Sequence, residues 1–146
     1  DDTQTGLAYI FQYLIGNTDW GLVRAIGADI CCHNGVIVGI EGRHFYVPYD
    51  FDMAGLINAR YAKPDPSLRI RKVTQRRYRG YCMAGDALRD SLRTVVGLRE
   101  KIVGVMAALE QQSGQDLTEG SDYLTSFFEV AADEEKLLRE FEKRCL

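Results

Sequence analysis

Two short β-rich runs, joined by one tight turn, set the strongest constraint on how this chain can fold. Residues 36–40 and 44–49 are rich in β-branched and aromatic side chains, and Glu41-Gly42-Arg43 separates them, as in a hairpin. Pro48 lacks a backbone N–H, so it limits the second run to an edge strand or to the last residue of the strand. The chain then passes directly into Asp50-Phe51-Asp52. We therefore expect a β-hairpin that carries acidic side chains at its end.

Helical periodicity dominates the rest of the chain. Apolar residues recur at three- and four-residue spacing, which indicates buried helix faces. The expected helices cover residues 5–15, 86–112, 117–130 and 133–145. Residues 54–67 have the composition of an extended loop, and residues 68–73 fit either a short strand or an extended segment. The pattern predicts a mainly helical α+β fold in a single domain, residues 1–146, of a size that can bury one core.

The overall charge argues against a general nucleic-acid binder. The 18 Lys and Arg are outnumbered by 21 Asp and Glu, giving a net charge of -3, whereas binding to a phosphate backbone requires a basic face. No apolar run approaches the roughly 18 residues that could cross a bilayer. The chain begins at Asp1 rather than Met, so we expect that upstream residues, with any targeting signal, are missing. The compartment therefore stays open.

One segment departs from this acidic average. Residues 60–79 contain eight basic residues and a single acid, Asp65, so their local charge is +7 and the remainder of the chain carries -10. Such a strip can bind phosphate or an acidic substrate, and it can also be a solvated loop or pair with acidic residues elsewhere. The candidate phosphate or substrate ligands are Arg69, Arg71, Arg76 and Arg77. Residues 76–79 can equally pair with Asp50 or Asp52.

The four cysteines leave the redox state open. Cys31 and Cys32 are adjacent and rarely bond to each other, so a disulfide reading sends each of them to a distant partner, Cys82 or Cys145. Reduced thiols fit equally well. Zinc is a further alternative through Cys31-Cys32-His33, but no second motif completes four ligands at a familiar spacing. An extracytoplasmic compartment therefore remains open.

Acidic and amide side chains occur in an order that suits phosphoryl transfer. That chemistry needs magnesium held by carboxylate and amide oxygens, and a carboxylate that orients the attacking hydroxyl. Asp19 lies in the long loop after the first helix, Asn34 precedes the first strand, and Asp50 and Asp52 follow the second. Alternate acids at a strand end repel each other unless a cation or base lies between them. The pattern therefore makes these four residues candidates for a metal-dependent site.

Three stretches of sequence resemble one kinase family. They are residues 14–20 (Leu-Ile-Gly-Asn-Thr-Asp-Trp), His33-Asn34 and residues 47–52 (Val-Pro-Tyr-Asp-Phe-Asp). The combination resembles the spore-coat CotH-type kinases and, more loosely, HipA-type and Golgi secretory kinases. The match covers roughly residues 8–56, about a third of the chain. The resemblance implies a kinase-like C-terminal lobe, and a fragment in which the N-terminal, ATP-cradling lobe is absent.

The resemblance also assigns roles. It implies that Asp19 is the catalytic carboxylate, that Asn34 and Asp50 bind Mg²⁺ or Mn²⁺ and the cofactor, and that Asp52 assists as a metal ligand. The implied partners are ATP or another nucleotide, whose binding requires the missing lobe, and an acceptor that bears a hydroxyl. The chain departs from the pattern in one respect, because Asp19 and Asn34 are fifteen residues apart instead of about five. An insertion must therefore bulge out between them.

Two other functions fit parts of the same sequence. An apolar strand followed by Asp-x-Asp also begins the haloacid-dehalogenase-type phosphatases, in which Asp50 would be the nucleophile and Asp52 a general acid. That fold needs further parallel strands with crossover helices, and after Asp52 this chain supplies mainly helices. The third possibility is a non-catalytic kinase-like module, which binds a protein partner through the basic strip and the acidic helices.

Overall fold

The computed structural model describes residues 2–22 and 32–146 and shows an α+β fold. In chain order the elements are α1 (Asp2–Leu14), β1 (Gly35–Ile40), β2 (Arg43–Pro48), α2 (Ala87–Gly97), α3 (Arg99–Ser113), α4 (Thr118–Ala131) and α5 (Glu134–Glu142). The described residues thus contain five α-helices, one more than the sequence predicts, and the expected antiparallel hairpin. None of these helices is long and apolar enough to cross a membrane.

Helix α1 lies at the centre of the fold because two of its faces are covered. One face packs against α2 and another against β2. Gly6 permits the close approach of α2, since a Cβ at this position would meet the side chain of Ser91 and the carbonyl of Ala87. Ile10 is fully buried in this core. The helix therefore fixes the position of the loop that follows it.

The hairpin has the turn that its sequence predicts. Ile40 pairs with Arg43, and Glu41 and Gly42 between them both adopt positive φ, at 49° and 75°. Two consecutive left-handed residues make a turn whose twist matches that of the flanking strands. Pro48 is the last residue of β2, so its missing N–H breaks no interior ladder bond.

A side-chain clamp attaches the hairpin to α1. The amide of Gln4 donates to the carbonyl oxygen of Tyr46 at 2.6 Å and accepts from the backbone N–H of Tyr46 at 3.0 Å. Both backbone groups of one β2 residue are thereby satisfied by one side chain of the helix. The second strand of the hairpin is consequently held beside the first turn of α1.

The single helix predicted for residues 86–112 is wrong. It is interrupted at Leu98, where φ is -96° and ψ is 10°, between α2 and α3. Gly97 precedes the break, and glycine is among the weakest helix formers. The two halves also pack differently, because α2 lies against α1 while α3 lies against α4. The expected strand alternative for residues 68–73 is wrong as well: a 3₁₀ turn, Pro66–Leu68, is followed by irregular backbone.

One disulfide fastens the end of the chain. Cys82 is bonded to Cys145, which lies 63 residues later in the sequence. The backbone N–H of Leu146 donates to the carbonyl oxygen of Gly80, and the carbonyl oxygen of Leu146 accepts from the N–H of Cys82. Neither of these cysteines is therefore the distant partner expected for Cys32, and Cys31 lies outside the described residues. Helix α5 begins as predicted, since the side chain of Asp133 accepts from the N–H of Lys136.

Candidate functional site

The loop after α1 is built around a buried asparagine. The side chain of Asn17 is 1% exposed, and its Oδ1 accepts from the backbone N–H of Asp19 at 2.9 Å. Its carbonyl oxygen accepts from the indole Nε1 of Trp20 at 3.1 Å, and the ring of Trp20 is itself buried. Asx turns of this kind fix the backbone two residues further on. Asn17 thus sets the position of Asp19.

A backbone bridge joins the two ends of the fourteen-residue stretch between Asp19 and Asn34. Gly21 and His33 form an antiparallel pair, with N–H to carbonyl distances of 3.1 and 3.0 Å. Residues 23–31 of the expected insertion lie outside the described residues. The bridge explains how two residues that are far apart in the sequence come together at one site.

Both oxygens of the Asp19 carboxylate have partners from the other side of this bridge. Nε2 of His33 lies 2.8 Å from Oδ1, and Nδ2 of Asn34 donates to Oδ2 at 3.1 Å. The side chains of Asp19 and His33 are 39% and 32% exposed. The carboxylate is therefore held in one orientation and remains accessible to a substrate.

The amide of Asn34 has only one chemically reasonable orientation. Its neighbours on one side, the carbonyl oxygen and Oδ2 of Asp19, are both acceptors, at 2.8 and 3.1 Å, so the NH₂ group must face them. Its Oδ1 then points away from Asp19 as an acceptor. An amide oxygen in that position is a suitable ligand for a hard cation such as Mg²⁺.

The hairpin brings Tyr49, the residue before Asp50, opposite Asn34. The carbonyl oxygen of Asn34 accepts from the N–H of Tyr49 at 3.1 Å and from the hydroxyl of Tyr46 at 3.2 Å. Burial raises the pKa of Tyr46 to about 12, so this hydroxyl stays protonated as a donor. Asp50 is therefore one residue beyond Tyr49, the residue that pairs with Asn34 at the base of the hairpin.

Asn34 and Asp50 share an unusual backbone conformation. Their φ angles are 51° and 57°, in the left-handed region that asparagine and aspartate tolerate better than other non-glycine residues. Positive φ at non-glycine residues is concentrated in turns and at functional sites. Here it occurs on both sides of the hairpin base, and the side chain of Asp50 is exposed there.

Asp52 is engaged differently. Its Oδ2 accepts from the hydroxyl of Tyr61 at 2.9 Å, and this hydrogen bond raises the pKa of Tyr61. Across residues 2–22 and 32–146, no three His, Cys, Asp or Glu side chains are grouped as metal ligands.

The structure separates the four candidate arginines into two pairs. Arg76 donates to the carbonyl oxygens of Leu14 and Tyr123 and to Oγ of Ser126, and Arg77 donates to the carbonyl oxygen of Leu68. The guanidinium of Arg76 also lies 3.9 Å from the ring centroid of Tyr123. Burial lowers the pKa of Arg76. Arg69 and Arg71, in contrast, are exposed.

The expected pairing of residues 76–79 with Asp50 or Asp52 is not what the described residues show. Arg76 and Arg77 bond to the oxygens named above, and Nη1 of Arg79 donates to the carbonyl oxygen of Thr18. Arg79 therefore braces the loop that carries Asp19. The sequence shows that Arg79 belongs to the basic strip, but it does not show that Arg79 bonds to the carbonyl oxygen of Thr18.

Two supporting residues of the site carry no predicted role of their own. The side chain of His33 contacts the carboxylate of Asp19, and the side-chain oxygen of Asn17 accepts from the backbone N–H of Asp19. The signal for both was their position inside the motif stretches 14–20 and 33–34. The role of a histidine beside the Asn of such a motif depends on the group that its Nε2 contacts, and only the fold shows which group that is.

A large cavity lies apart from these residues. It is an apolar groove of about 1160 Å³ between α1, α2, α3 and α4, and residues 55–58 form part of its wall. Phe11 of this groove makes an edge contact with Phe51, with ring centroids 5.6 Å apart. The groove therefore adjoins the segment of Asp50 and Asp52 without containing either residue.

Comparisons with known proteins return nothing for this chain: no protein-family model, no curated protein and no solved structure matches it.

Proposed function

We propose that this chain is the metal-binding and catalytic half of a phosphotransferase, which moves a phosphoryl group from a nucleotide to a hydroxyl. The observation that carries the proposal is the placement of three residues: Asn34 donates to the carboxylate of Asp19, and Asp50 comes one residue after the position that pairs with Asn34 at the base of the hairpin. Phosphoryl transfer depends mainly on positioning and on charge neutralisation, and these three residue types supply both.

The contacts support one distribution of roles. Asp19 accepts the proton of the attacking hydroxyl while the new bond to phosphorus forms and the bond from phosphorus to the leaving diphosphate breaks. His33 and Asn34 hold its carboxylate in place through one oxygen each. Oδ1 of Asn34 and the carboxylate of Asp50 would hold a divalent cation, which when bound would supply positive charge to neutralise the phosphate oxygens.

The alternative phosphatase function has less support from the fold. Its nucleophile would follow a strand of a parallel sheet with crossover helices. In the part of the chain that the structure describes, the strands form one antiparallel pair and Asp50 follows its second strand. Asp52 hydrogen-bonds to Tyr61 instead of standing free as a general acid. We therefore favour the phosphotransferase.

The experiment is a calorimetric titration of the chain with Mg²⁺ and Mn²⁺. We expect saturable binding that is lost in both Asn34→Ala and Asp50→Ala. Asn58→Ala and Asp65→Ala are matched controls, since both residues are exposed and lie outside the hairpin base. Retention of full binding in Asp50→Ala, or no binding by the unaltered chain in the millimolar range, contradicts the proposal.

A second function, the interaction module, is favoured by the apolar groove. Among the described residues that line it are three acids, Asp116, Glu119 and Asp122, and no Lys, Arg or His. Its volume of about 1160 Å³ slightly exceeds the range of roughly 300–1,000 Å³ that is usual for small-molecule pockets. Apolar walls with an acidic rim suit an amphipathic helix with basic flanks, which is the occupant that we propose for this function.

A synthetic amphipathic peptide of leucine and lysine tests this second function. Leu109→Arg places a cation in the groove, and Val130→Arg is its control, because these two side chains are 46% and 51% exposed and only Leu109 lines the groove. We expect Leu109→Arg to weaken peptide binding and Val130→Arg to leave it unchanged. Equal effects of the two substitutions contradict docking in the groove.

A further inference from the structure

A second, polar cavity lies between the end of α1, the basic strip and the end of α5. Its volume is about 320 Å³, and four arginines line it: Arg69, Arg76, Arg77 and Arg144. None of its lining residues belongs to the candidate site at the base of the hairpin. The fold thus brings three arginines of the strip together with one from the last residues of the chain, and Arg71 is not among them.

The charge of this cavity is not balanced by the protein. Glu140 is the only acid among the described residues that line it. Its carboxylate is already shared with Lys143, at 3.3 Å, and with Arg144, at 3.6 Å. Within the described ranges, Arg69, Arg76 and Arg77 have no carboxylate within 4 Å. Four cations and one anion leave a surplus of three positive charges around one small space.

The guanidinium groups are arranged as a fixed wall and two exposed arms. Arg76 is anchored by three hydrogen bonds, and Arg77 is anchored to the carbonyl oxygen of Leu68 at 2.6 Å. A guanidinium has five N–H donors, so Arg77 retains donors beyond the one in use. Arg69, in the left-handed position after the 3₁₀ turn, and Arg144, after α5, are both exposed. An entering anion can thus be met by donors from both sides.

The size and the charge together select the class of ligand. A volume of about 320 Å³ is at the lower end of the range of roughly 300–1,000 Å³ for ligand pockets, so the cavity has room for a phosphate group or a small phosphate monoester. Guanidinium forks match phosphate and carboxylate equally well in shape. A surplus of three positive charges favours a group with two negative charges over a single carboxylate.

We propose that this cavity binds a phosphate group, either as inorganic phosphate or as the phosphate of a monoester. The proposal goes beyond the proposed phosphotransferase site, because it uses none of its residues and needs no divalent cation. Arg76 and Arg77 form the fixed wall, and the exposed arms, Arg69 and Arg144, donate to the phosphate oxygens.

The test is calorimetric titration with inorganic phosphate and, separately, with O-phosphoserine, at constant ionic strength and in the presence of EDTA. The double variant Arg69→Gln/Arg144→Gln removes both arms, and Arg60→Gln/Arg139→Gln removes the same charge from exposed positions outside the cavity. We expect the first double variant to weaken binding at least about tenfold, as is reasonable for the loss of two charge-assisted contacts, and the second to change it by less than about twofold.

Three outcomes overturn the proposal: no saturable binding of either probe by the unaltered chain, equal weakening in both double variants, or unchanged binding in Arg69→Gln/Arg144→Gln. Stronger binding of O-phosphoserine than of inorganic phosphate supports a monoester as the source of the group, and the reverse order supports free phosphate. Since EDTA removes divalent cations, failure of the cation site has no influence on this experiment.

Discussion

The side-chain Nδ2 of Asn34 donates to two oxygens of Asp19, the main-chain carbonyl oxygen at 2.8 Å and the carboxylate Oδ2 at 3.1 Å. One residue therefore fixes both the backbone and the side chain of the candidate catalytic aspartate. The same contacts leave Oδ1 of Asn34 free of Asp19. In the proposed function, positioning of the carboxylate and binding of the cation are therefore linked through one amide.

Asn34→Asp should break this link. The substitution replaces two donors with a second carboxylate beside Oδ2 of Asp19, and the loss of such partly buried hydrogen bonds should cost about 1–3 kcal/mol of unfolding free energy. A cation between the two carboxylates would reduce their repulsion, so we expect added MgCl₂ to recover much of the loss. Urea unfolding with and without MgCl₂ measures both effects.

Asn58→Asp is the control for this substitution. Asn58 also has positive φ, at 48°, and is exposed, so the change of residue type carries the same backbone preference without the carboxylate neighbour. We expect a change within about 0.5 kcal/mol and no response to MgCl₂. Equal losses of unfolding free energy in the two variants would show that the contact between Asn34 and Asp19 does not stabilise the fold.

The local elements were predictable because their signals are local. The hairpin follows from the alternation of β-branched residues around Glu41-Gly42, and the start of α5 follows from its acidic first turn. Asp50 could be placed after a strand for the same reason. The break at Leu98 was not predicted because the apolar stripe continues across it, although Gly97 is a weak helix former.

The contacts of the site were less predictable because they join distant parts of the chain. The pairing of Gly21 with His33 is a tertiary feature, and no spacing rule yields it. The position of Arg76 in a basic strip gave no sign that its guanidinium is anchored by helix carbonyls and lies against an aromatic ring. Charged residues are rarely buried unless their groups are satisfied, so sequence alone favours an exposed position.

Arg76→Met should destabilise the fold strongly. The apolar side chain fills a similar length, but it leaves the carbonyl oxygens of Leu14 and Tyr123 without their donor, and each hydrogen bond to a charged group contributes about 1.5–3 kcal/mol. We expect a loss of at least about 3 kcal/mol in urea unfolding. Arg71→Met, at an exposed position, should stay within about 0.5 kcal/mol. Comparable losses for both would refute the structural role of Arg76.

Glu134 should make stability depend on pH. Hydrogen bonds from Arg93 and Arg89 lower the pKa of Glu134. A carboxyl group whose pKa is lower in the folded state stabilises it above the unfolded pKa, about 4.3, and loses this contribution as the pH falls through the folded value. The unaltered chain should therefore have a higher Tm than Glu134→Gln at pH 7, and the difference should shrink below about pH 4.3.

Thermal unfolding from pH 7 to pH 3 measures this difference. Glu129→Gln is the control, because Glu129 is exposed on α4 and forms no ion pair among the described residues. Its Tm should follow that of the unaltered chain at every pH. A difference for Glu134→Gln that stays constant over the whole range would contradict the ion pairs with Arg89 and Arg93.

Gly16→Ala should disturb the loop that carries Asp19. Gly16 has φ of 66°, and a Cβ there would collide with the ring hydroxyl of Tyr123. The left-handed backbone costs an alanine about 1–2 kcal/mol, and overpacking adds about 1–3 kcal/mol. Gly114→Ala is the matched control, since its φ is 67° and nothing lies within 4 Å of the new Cβ, so it should lose only the backbone part. The hydroxyl of Tyr123 is buried without a hydrogen-bond partner in the described residues, so Tyr123→Phe should recover part of the loss in a double variant with Gly16→Ala.

Urea unfolding measures all of these losses. Equal losses for Gly16→Ala and Gly114→Ala, with no recovery from Tyr123→Phe, would contradict the close packing of α4 against the loop that carries Asp19.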